Sequence, residues 1–133
     1  MTASILHWSL DELSKNRGVA IATVISTTGS VPGKEGAKLA LNNHGIVGTV
    51  GGAGLELKVI SQLREMLENA IKPCGKVVTF GLNKGAKGYE VTPLDSLCGG
   101  HVTVAMEILM PMPHILLMGG GHCGQAIGKT LEA

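Results

Sequence analysis

The chain has 133 residues, of which 44% are hydrophobic and 16% charged, and its 11 Lys and Arg residues nearly balance its 10 Asp and Glu residues. This length suits one domain, and the composition excludes a disordered chain and a basic nucleic-acid binder. No stretch approaches the ~20 apolar residues of a membrane span, and the N-terminus lacks the pattern of a secretory signal. We therefore expect a cytoplasmic protein.

Glycine accounts for 20 residues, about twice its average share of ~7%, whereas Phe, Trp and Tyr each occur once. Aliphatic side chains must therefore form the core, and glycine-rich loops are the places to look for a binding site. Cys74, Cys98 and Cys123 form no Cys-x-x-Cys pair and are odd in number, which fits neither a disulfide framework nor a zinc site. We expect them to be reduced thiols.

Hydrophobic patterning predicts a helix, a strand and a hairpin in the first part of the chain. Residues 4–15 have a helical pattern, residues 19–25 are an apolar strand buried on both faces, and residues 26–36 are a long polar loop. A hairpin follows, with strands at 37–41 and 45–50. Because a glycine-rich loop lies on each side of the hairpin, we expect both loops at the same end of the sheet.

The apolar period changes from two to about 3.6 residues at Leu55, which predicts a helix over residues 54–70. Further strands are predicted at residues 76–82, 101–109 and 114–118, with a polar turn at 83–88 and a terminal helix after the last strand. The expected fold class is α/β, with a mixed sheet, packed helices and an incomplete Rossmann βα unit at the end. An α+β fold is the alternative.

The motif Gly119-x-Gly121-x-x-Gly124 follows a predicted strand and opens a predicted helix, as a dinucleotide-binding fingerprint requires. His122, at the start of this helix, could meet a phosphate. Only nine residues follow Gly124, whereas the acidic residue that contacts the ribose is expected about 20 residues on. We therefore do not expect this chain alone to bind NAD or another nucleotide, and a tight strand-to-helix turn is the alternative interpretation.

The two loops that flank the hairpin are candidates for anion binding. One contains Ser30 and Lys34, and the other contains Gly51 and Gly52 shortly before Glu56. A glycine-rich loop that leads into a helix presents free backbone N–H groups, which suit a phosphate or a carboxylate. The alternative is turn chemistry alone, in which Glu56 complements the helix dipole.

A third glycine pair, Gly99-Gly100, directly follows Cys98 at the start of a predicted strand. In an exposed loop this thiol could be a soft metal ligand, a nucleophile or a sulfur carrier. The alternative is a small buried hydrophobic residue. We assign no catalytic residue, because the sequence offers no combined base, nucleophile and oxyanion site.

Taken together, these segments resemble the XdhC/CoxI family of xanthine dehydrogenase accessory factors. Four stretches carry the resemblance in order, namely residues 22–38, 48–56, 97–107 and 116–124. The resemblance implies a family-type N-terminal domain over residues 1–110. Residues 111–133 would then be a linker and the first strand and helix of a truncated Rossmann-like domain.

The resemblance further implies a protein that binds the molybdenum cofactor and assists its insertion into a xanthine dehydrogenase-type or CO dehydrogenase-type enzyme, and thus a carrier more than an enzyme. The residues expected to contact the cofactor come from the three loops and are Ser30, Lys34, Gly51, Gly52, Glu56, Cys98, Gly99 and Gly100. Cys98 would be the contact to molybdenum.

The alternative function is a nucleotide-binding or redox-regulatory module. In that case a partner chain would complete the Rossmann half that begins with Gly119, Gly121, His122 and Gly124. A third interpretation is a purely structural fragment. Because an apolar strand at 114–118 without sheet neighbours leaves an unpaired edge, we also expect a homo-oligomer, with a dimer as the first hypothesis.

Overall fold

The computed structural model describes residues 2–81, 91–93 and 99–132, which form three helices and six strands. The helices are α1 (Thr2–Ser14), α2 (Ala53–Asn69) and α3 (His122–Leu131). The strands are β1 (Val19–Thr28), β2 (Lys38–Asn42), β3 (Gly45–Gly48), β4 (Cys74–Gly81), β5 (Val91–Pro93) and β6 (His101–Leu109). None of the described helices is long and apolar enough to cross a membrane.

The strands form one six-stranded sheet in the order β3-β2-β1-β6-β4-β5. Neighbouring strands are antiparallel except β4 and β5, which are parallel. The prediction of a mixed sheet with packed helices is therefore confirmed. The two longest strands, β1 and β6, lie side by side at its centre and pair over nearly their whole length.

The helices α1 and α2 cover opposite faces of the sheet. Leu55, Val59 and Leu63 recur every four residues along α2, so they lie on one side of that helix, and each is at most 2% exposed against the sheet. Each such side chain contributes about 2 kcal/mol by its burial. On the other face, Ile5 of α1 packs in a second cluster with Val19 of β1.

The C-terminus of α1 is closed by a Schellman motif. Asn16 has a positive φ of 63°, the N–H of Arg17 donates to the carbonyl oxygen of Glu12 at 3.1 Å, and that of Asn16 donates to Leu13 at 3.0 Å. This turn places the Arg17 guanidinium next to the buried Glu12 carboxylate, which also accepts a hydrogen bond from Asn42 Nδ2 at 2.8 Å. The bond from Asn42, followed by the interactions with Arg17, lowers the pKa of Glu12.

Several strand boundaries differ from the prediction by one to three residues, and the start of β4 at Cys74 instead of residue 76 is one of them. β1 continues beyond residue 25 to Thr28, because Ser26, Thr27 and Thr28 pair with β6 after a bulge in the ladder. The short hydroxyl side chains there were interpreted as a loop, but pairing with a distant strand outweighs local preference. β3 ends at Gly48 instead of residue 50, since Gly48 has a φ of 82° and the chain leaves the ladder there.

The predicted strand at 114–118 is not formed among the described residues. Residues 110–120 carry no strand or helix, because a strand requires a paired neighbour and none of the described strands pairs with this segment. The helix after it is formed as α3, but none of its described residues is buried. The predicted turn at 83–88 lies outside the described residues.

Candidate functional site

Three glycine-rich loops meet at one end of the sheet. The first, residues 29–37, leaves the end of β1, and the second, residues 49–52, connects β3 to α2. The third, residues 99–100, precedes β6, whose first residue pairs with the last residue of β1. We call these three segments the glycine-loop cluster.

The loops of the cluster touch each other through their backbones. A Cβ added to Gly33 would lie 2.5 Å from the carbonyl oxygen of Val50, and one added to Gly100 would overlap the carbonyl oxygen of Thr28. A Cβ on Gly51 would lie 2.8 Å from the backbone nitrogen of Gly33. Only glycine permits such close approaches. The prediction that the hairpin brings its two flanking loops together is confirmed, and the third loop joins them.

A small hydrogen-bond network fixes the second loop to the first turn of α2. Glu56 Oε1 accepts a hydrogen bond from the Val50 N–H at 3.1 Å and another from the Thr49 hydroxyl. The Thr49 oxygen in turn accepts the N–H of Gly51 at 3.2 Å. Glu56 and the Gly51 N–H are thus engaged within the loop, so Glu56 acts here as a residue that positions the loop.

Thr49 was missed by the sequence analysis. The usual sequence signal for a Ser or Thr at a helix start places it three residues before a Glu, whereas Thr49 precedes Glu56 by seven residues. The hydroxyl reaches the carboxylate only because the glycine-rich loop folds back over the start of α2.

The outer surface of the cluster is open. A Cβ at Gly52, Gly54 or Gly99 would meet no heavy atom within 4 Å among the described residues. Gly52 is the N-cap of α2 and has a φ of 75°, so the first-turn N–H groups of this helix, which lack intrahelical acceptors, face this region. Ser30 and Lys34 are exposed nearby in the first loop. The Lys34 carbonyl oxygen accepts the Ala37 N–H at 3.0 Å, whereas its ammonium group has no hydrogen-bond or ion-pair partner within the described part of the chain.

These features fit a phosphate. The start of a 17-residue helix supplies oriented N–H donors and the positive end of a helix dipole. The open glycine surfaces leave room for an anion at the backbone, and Lys34 adds a cation in the first loop. The residues present therefore fit the phosphate end of a cofactor such as the molybdenum cofactor.

The predicted thiol contact, Cys98, lies outside the described residues. The structure does place its neighbours Gly99 and Gly100 in the cluster, both with positive φ, at 56° and 97°. Cys74 and Cys123 are exposed free thiols. Within the described residues, no group of three or more His, Cys, Asp or Glu side chains could hold a metal ion.

The Gly119–Gly124 turn has the close approach expected of a dinucleotide-type strand-to-helix turn. Gly119 has a φ of 117°, and a Cβ on Gly124 would lie 2.6 Å from the Gly119 carbonyl oxygen. Gly121 is the N-cap of α3, and His122, the first residue of α3, is exposed. The close approach is therefore present, whereas the segment before Gly119 forms no strand in the part of the chain that the structure describes.

Two cavities lie at the opposite end of the sheet from the cluster. One, of about 210 Å³, lies between the start of β1 and the β2–β3 turn and is lined by Arg17 and His44. The other, of about 380 Å³, is an apolar groove between α1 and the segment that follows β6. Neither cavity contains a predicted cofactor residue.

Comparison with known proteins identifies the family. The sequence profile of the XdhC and CoxI family matches residues 13–81, which is more than half of the chain and includes the first two loops of the cluster. The chain belongs to the XdhC and CoxI family. The resemblance found in the sequence is thus confirmed, and the match covers two of the four stretches that carried it.

A relative and a solved structure agree with this assignment. The chain is 28% identical over 116 residues to YqeB, an uncharacterized protein of Escherichia coli K12, and covers 20% of its length. It also matches a crystal structure of a xanthine dehydrogenase from Bacillus halodurans, with a TM-score of 0.53 and 22% identity over 73% of this chain and 28% of that chain. The structural likeness shows a shared fold, and the chain spans less than a third of either protein.

Proposed function

We propose that this chain is an accessory factor that binds the molybdenum cofactor and assists its delivery to a xanthine dehydrogenase-type or CO dehydrogenase-type enzyme. Membership of the XdhC and CoxI family supports an accessory role. The observation that carries the proposal is the glycine-loop cluster, in which segments far apart in the sequence interlock through their backbones around the start of α2.

The two ends of the cofactor would meet different residues. The N–H groups at the start of α2, with Gly52 as N-cap, and the Lys34 ammonium would hold the phosphate. The Cys98 thiolate would contact the soft metal centre, next to the glycine pair that adjoins the first loop. When bound, the cofactor supplies the redox-active molybdenum, while the protein binds and shields it.

Reconstitution tests this proposal directly. The purified chain is mixed with molybdenum cofactor released from a molybdoenzyme and passed through a desalting column, after which molybdenum and pterin are quantified in the protein fraction. We expect both to be retained in equal amounts. If neither is retained, the proposal is wrong.

Two pairs of variants separate the two contacts. Lys34→Ala should weaken cofactor binding about tenfold, as for loss of one charged hydrogen bond, whereas Lys72→Ala, an exposed lysine beyond α2, should not. Cys98→Ser should reduce molybdenum retention and client activation, with Cys74→Ser as the control because Cys74 is an exposed free thiol. If Cys98→Ser retains molybdenum and activates the client as well as Cys74→Ser does, the thiol contact is wrong.

The Gly119–Gly124 turn favours a second candidate function, a nucleotide-binding module completed by a partner chain. Its backbone has the close approach between the first and third glycines of a dinucleotide fingerprint. However, the pyrophosphate crevice of that fold lies between the ends of neighbouring strands, and the segment before Gly119 has no strand partner among the described residues. We therefore predict poor binding of NAD or ATP by this chain alone. Calorimetry that gives a sub-micromolar dissociation constant for either would contradict this prediction.

A further inference from the structure

A polar cavity of about 210 Å³ lies at the end of the sheet opposite the glycine-loop cluster. Its walls come from the turn after α1, the β2–β3 turn and α2, and its lining residues are Arg17, Gly18, Asn42, Asn43, His44 and Leu67. All of them lie within residues 13–81, the segment that matches the family profile. Because pockets for drug-sized ligands occupy ~300–1,000 Å³, this cavity suits a smaller molecule.

The guanidinium of Arg17 is only partly engaged by the fold. Its Nη1 donates to the two oxygens of the buried Glu12 carboxylate, at 3.3 Å and 3.2 Å. A guanidinium carries five N–H donors in a planar fork, and Nε and Nη2 of Arg17 have no hydrogen-bond partner among the described residues. Holding Glu12 therefore uses one of the three nitrogens and leaves the other two available to a ligand.

The buried amide of Asn42 is also incompletely paired. Asn42 is 3% exposed, its Nδ2 donates to Glu12 at 2.8 Å, and its Oδ1 accepts the His44 N–H at 2.8 Å. An amide nitrogen carries two protons, so one N–H of Asn42 lacks an acceptor in the part of the chain that the structure describes. A buried donor without an acceptor is costly, and a ligand oxygen in the cavity removes that cost.

The other lining residues define the chemistry of the ligand. Asn43 and His44 are exposed and add an amide and an imidazole, while Leu67 adds an apolar wall. None of these lining side chains is acidic. A cavity with a guanidinium fork, amide donors and one apolar side is complementary to a planar carboxylate that carries a short apolar tail.

We propose that this cavity binds a short-chain carboxylate, whose oxygens accept N–H groups of Arg17 and Asn42 and whose tail lies against Leu67. The Glu12 carboxylate beside the cavity favours a ligand with one negative charge over the two charges of a phosphate monoester. Since the cavity lies at the opposite end of the sheet from the glycine-loop cluster, the proposed cofactor site and this site are independent.

Two-dimensional NMR of the whole chain, titrated with butyrate, tests the proposal. We expect saturable shifts of the backbone amides of Gly18, Asn43 and His44, with a dissociation constant in the low millimolar range, and no shift at Gly51 and Gly52. Butyramide has the same shape without the charge and should bind at least about tenfold more weakly. The proposal is overturned if butyrate shifts none of the cavity amides, if butyramide binds as tightly, or if methyl phosphate binds there more tightly than butyrate.

Two variants test the residues. Arg17→Lys keeps a positive charge beside Glu12 but removes the planar fork, and it should weaken butyrate binding about tenfold. Arg64→Lys is the matched control, because Arg64 is exposed on α2 and outside the cavity. Asn43→Ala changes an exposed residue that does not hold Glu12, so it should preserve the fold and weaken butyrate binding about fivefold. If Asn43→Ala binds butyrate as the parent does, or if a folded Arg17→Lys does, the proposal is wrong.

Discussion

Three glycines of the glycine-loop cluster should differ in how much their replacement by alanine destabilises the protein, because each is required for a different physical reason. Gly99 has a φ of 56° and open space at its Cβ position, so only backbone conformation opposes a side chain there. Gly33 has no positive φ, but its Cβ would lie 2.5 Å from the Val50 carbonyl oxygen. Gly100 combines a φ of 97° with overlap against the Thr28 carbonyl oxygen. Replacing each by alanine therefore separates backbone strain from steric overlap.

The expected costs follow from these geometries. Gly99→Ala should lower the free energy of unfolding by about 1 kcal/mol, the usual cost of a left-handed conformation for an L-residue. Gly33→Ala should cost about 2 kcal/mol, because the contact is with backbone that can move only by separating two loops. Gly100→Ala carries both penalties and should cost about 3 kcal/mol or more. This is a large part of the ~5–15 kcal/mol that stabilises a typical domain.

Urea denaturation followed by circular dichroism measures the three free energies of unfolding. The adjacent pair Gly99→Ala and Gly100→Ala is the most informative comparison, since both changes add one methyl group to the same loop. If the two variants are equally stable, the third loop does not approach the end of β1 as described. If Gly33→Ala is as stable as the parent, the contact between the first and second loops is wrong.

Two other predictions concern the core and the charged network of α1. Leu63→Ala should lower the free energy of unfolding by about 2–5 kcal/mol in urea denaturation, because Leu63 is fully buried between α2 and the sheet. A cost typical of a surface substitution would show that α2 does not pack there. The pKa of Glu12 is lower in the folded protein than its ordinary value of ~4.3. The ionised carboxylate therefore stabilises the fold at pH values above ~4.3, and this stabilisation is lost as the pH falls through the pKa of the folded state. The stability advantage of the parent over Glu12→Gln should therefore shrink in strongly acidic buffer, and an advantage that does not change with pH would contradict the network with Asn42.

The sequence was most informative where a local repeat and a buried surface coincide. α2 was predicted because Leu55, Val59 and Leu63 recur at helical spacing, and the same side chains form its contact with the sheet. β6 was predicted because every second residue is apolar, and those residues are the buried ones. In both elements the local pattern and the tertiary packing depend on the same residues.

Features that depend on pairing between distant segments were not predictable in this way. Ser26, Thr27 and Thr28 were interpreted as loop because hydroxyl residues beside a glycine are typical of turns, and only β6 makes them a strand. The contact of Gly29 with Gly100 likewise depends on the pairing of β1 with β6. The contact between the first two loops could be predicted, because these loops directly precede and follow the hairpin in the sequence.

The construction of the cluster also bears on what its residues can do. Its contacts are mainly between backbone atoms, and the carboxylates in and beside it are engaged. Glu35 in the first loop accepts the Thr27 N–H at 3.2 Å, and one oxygen of Glu56 in α2 accepts the Thr49 hydroxyl and the Val50 N–H. A surface of this kind offers fixed donors to a ligand, and fixed donors favour tight, oriented binding of an anion.

Binding by such a surface depends on its shape, so a change such as Gly100→Ala should weaken ligand retention together with stability. By contrast, replacing Lys34 by alanine should weaken ligand retention without lowering the free energy of unfolding. Both effects are expected if the cluster is a binding site, whereas neither variant would change ligand retention if the cluster were only a well-packed turn.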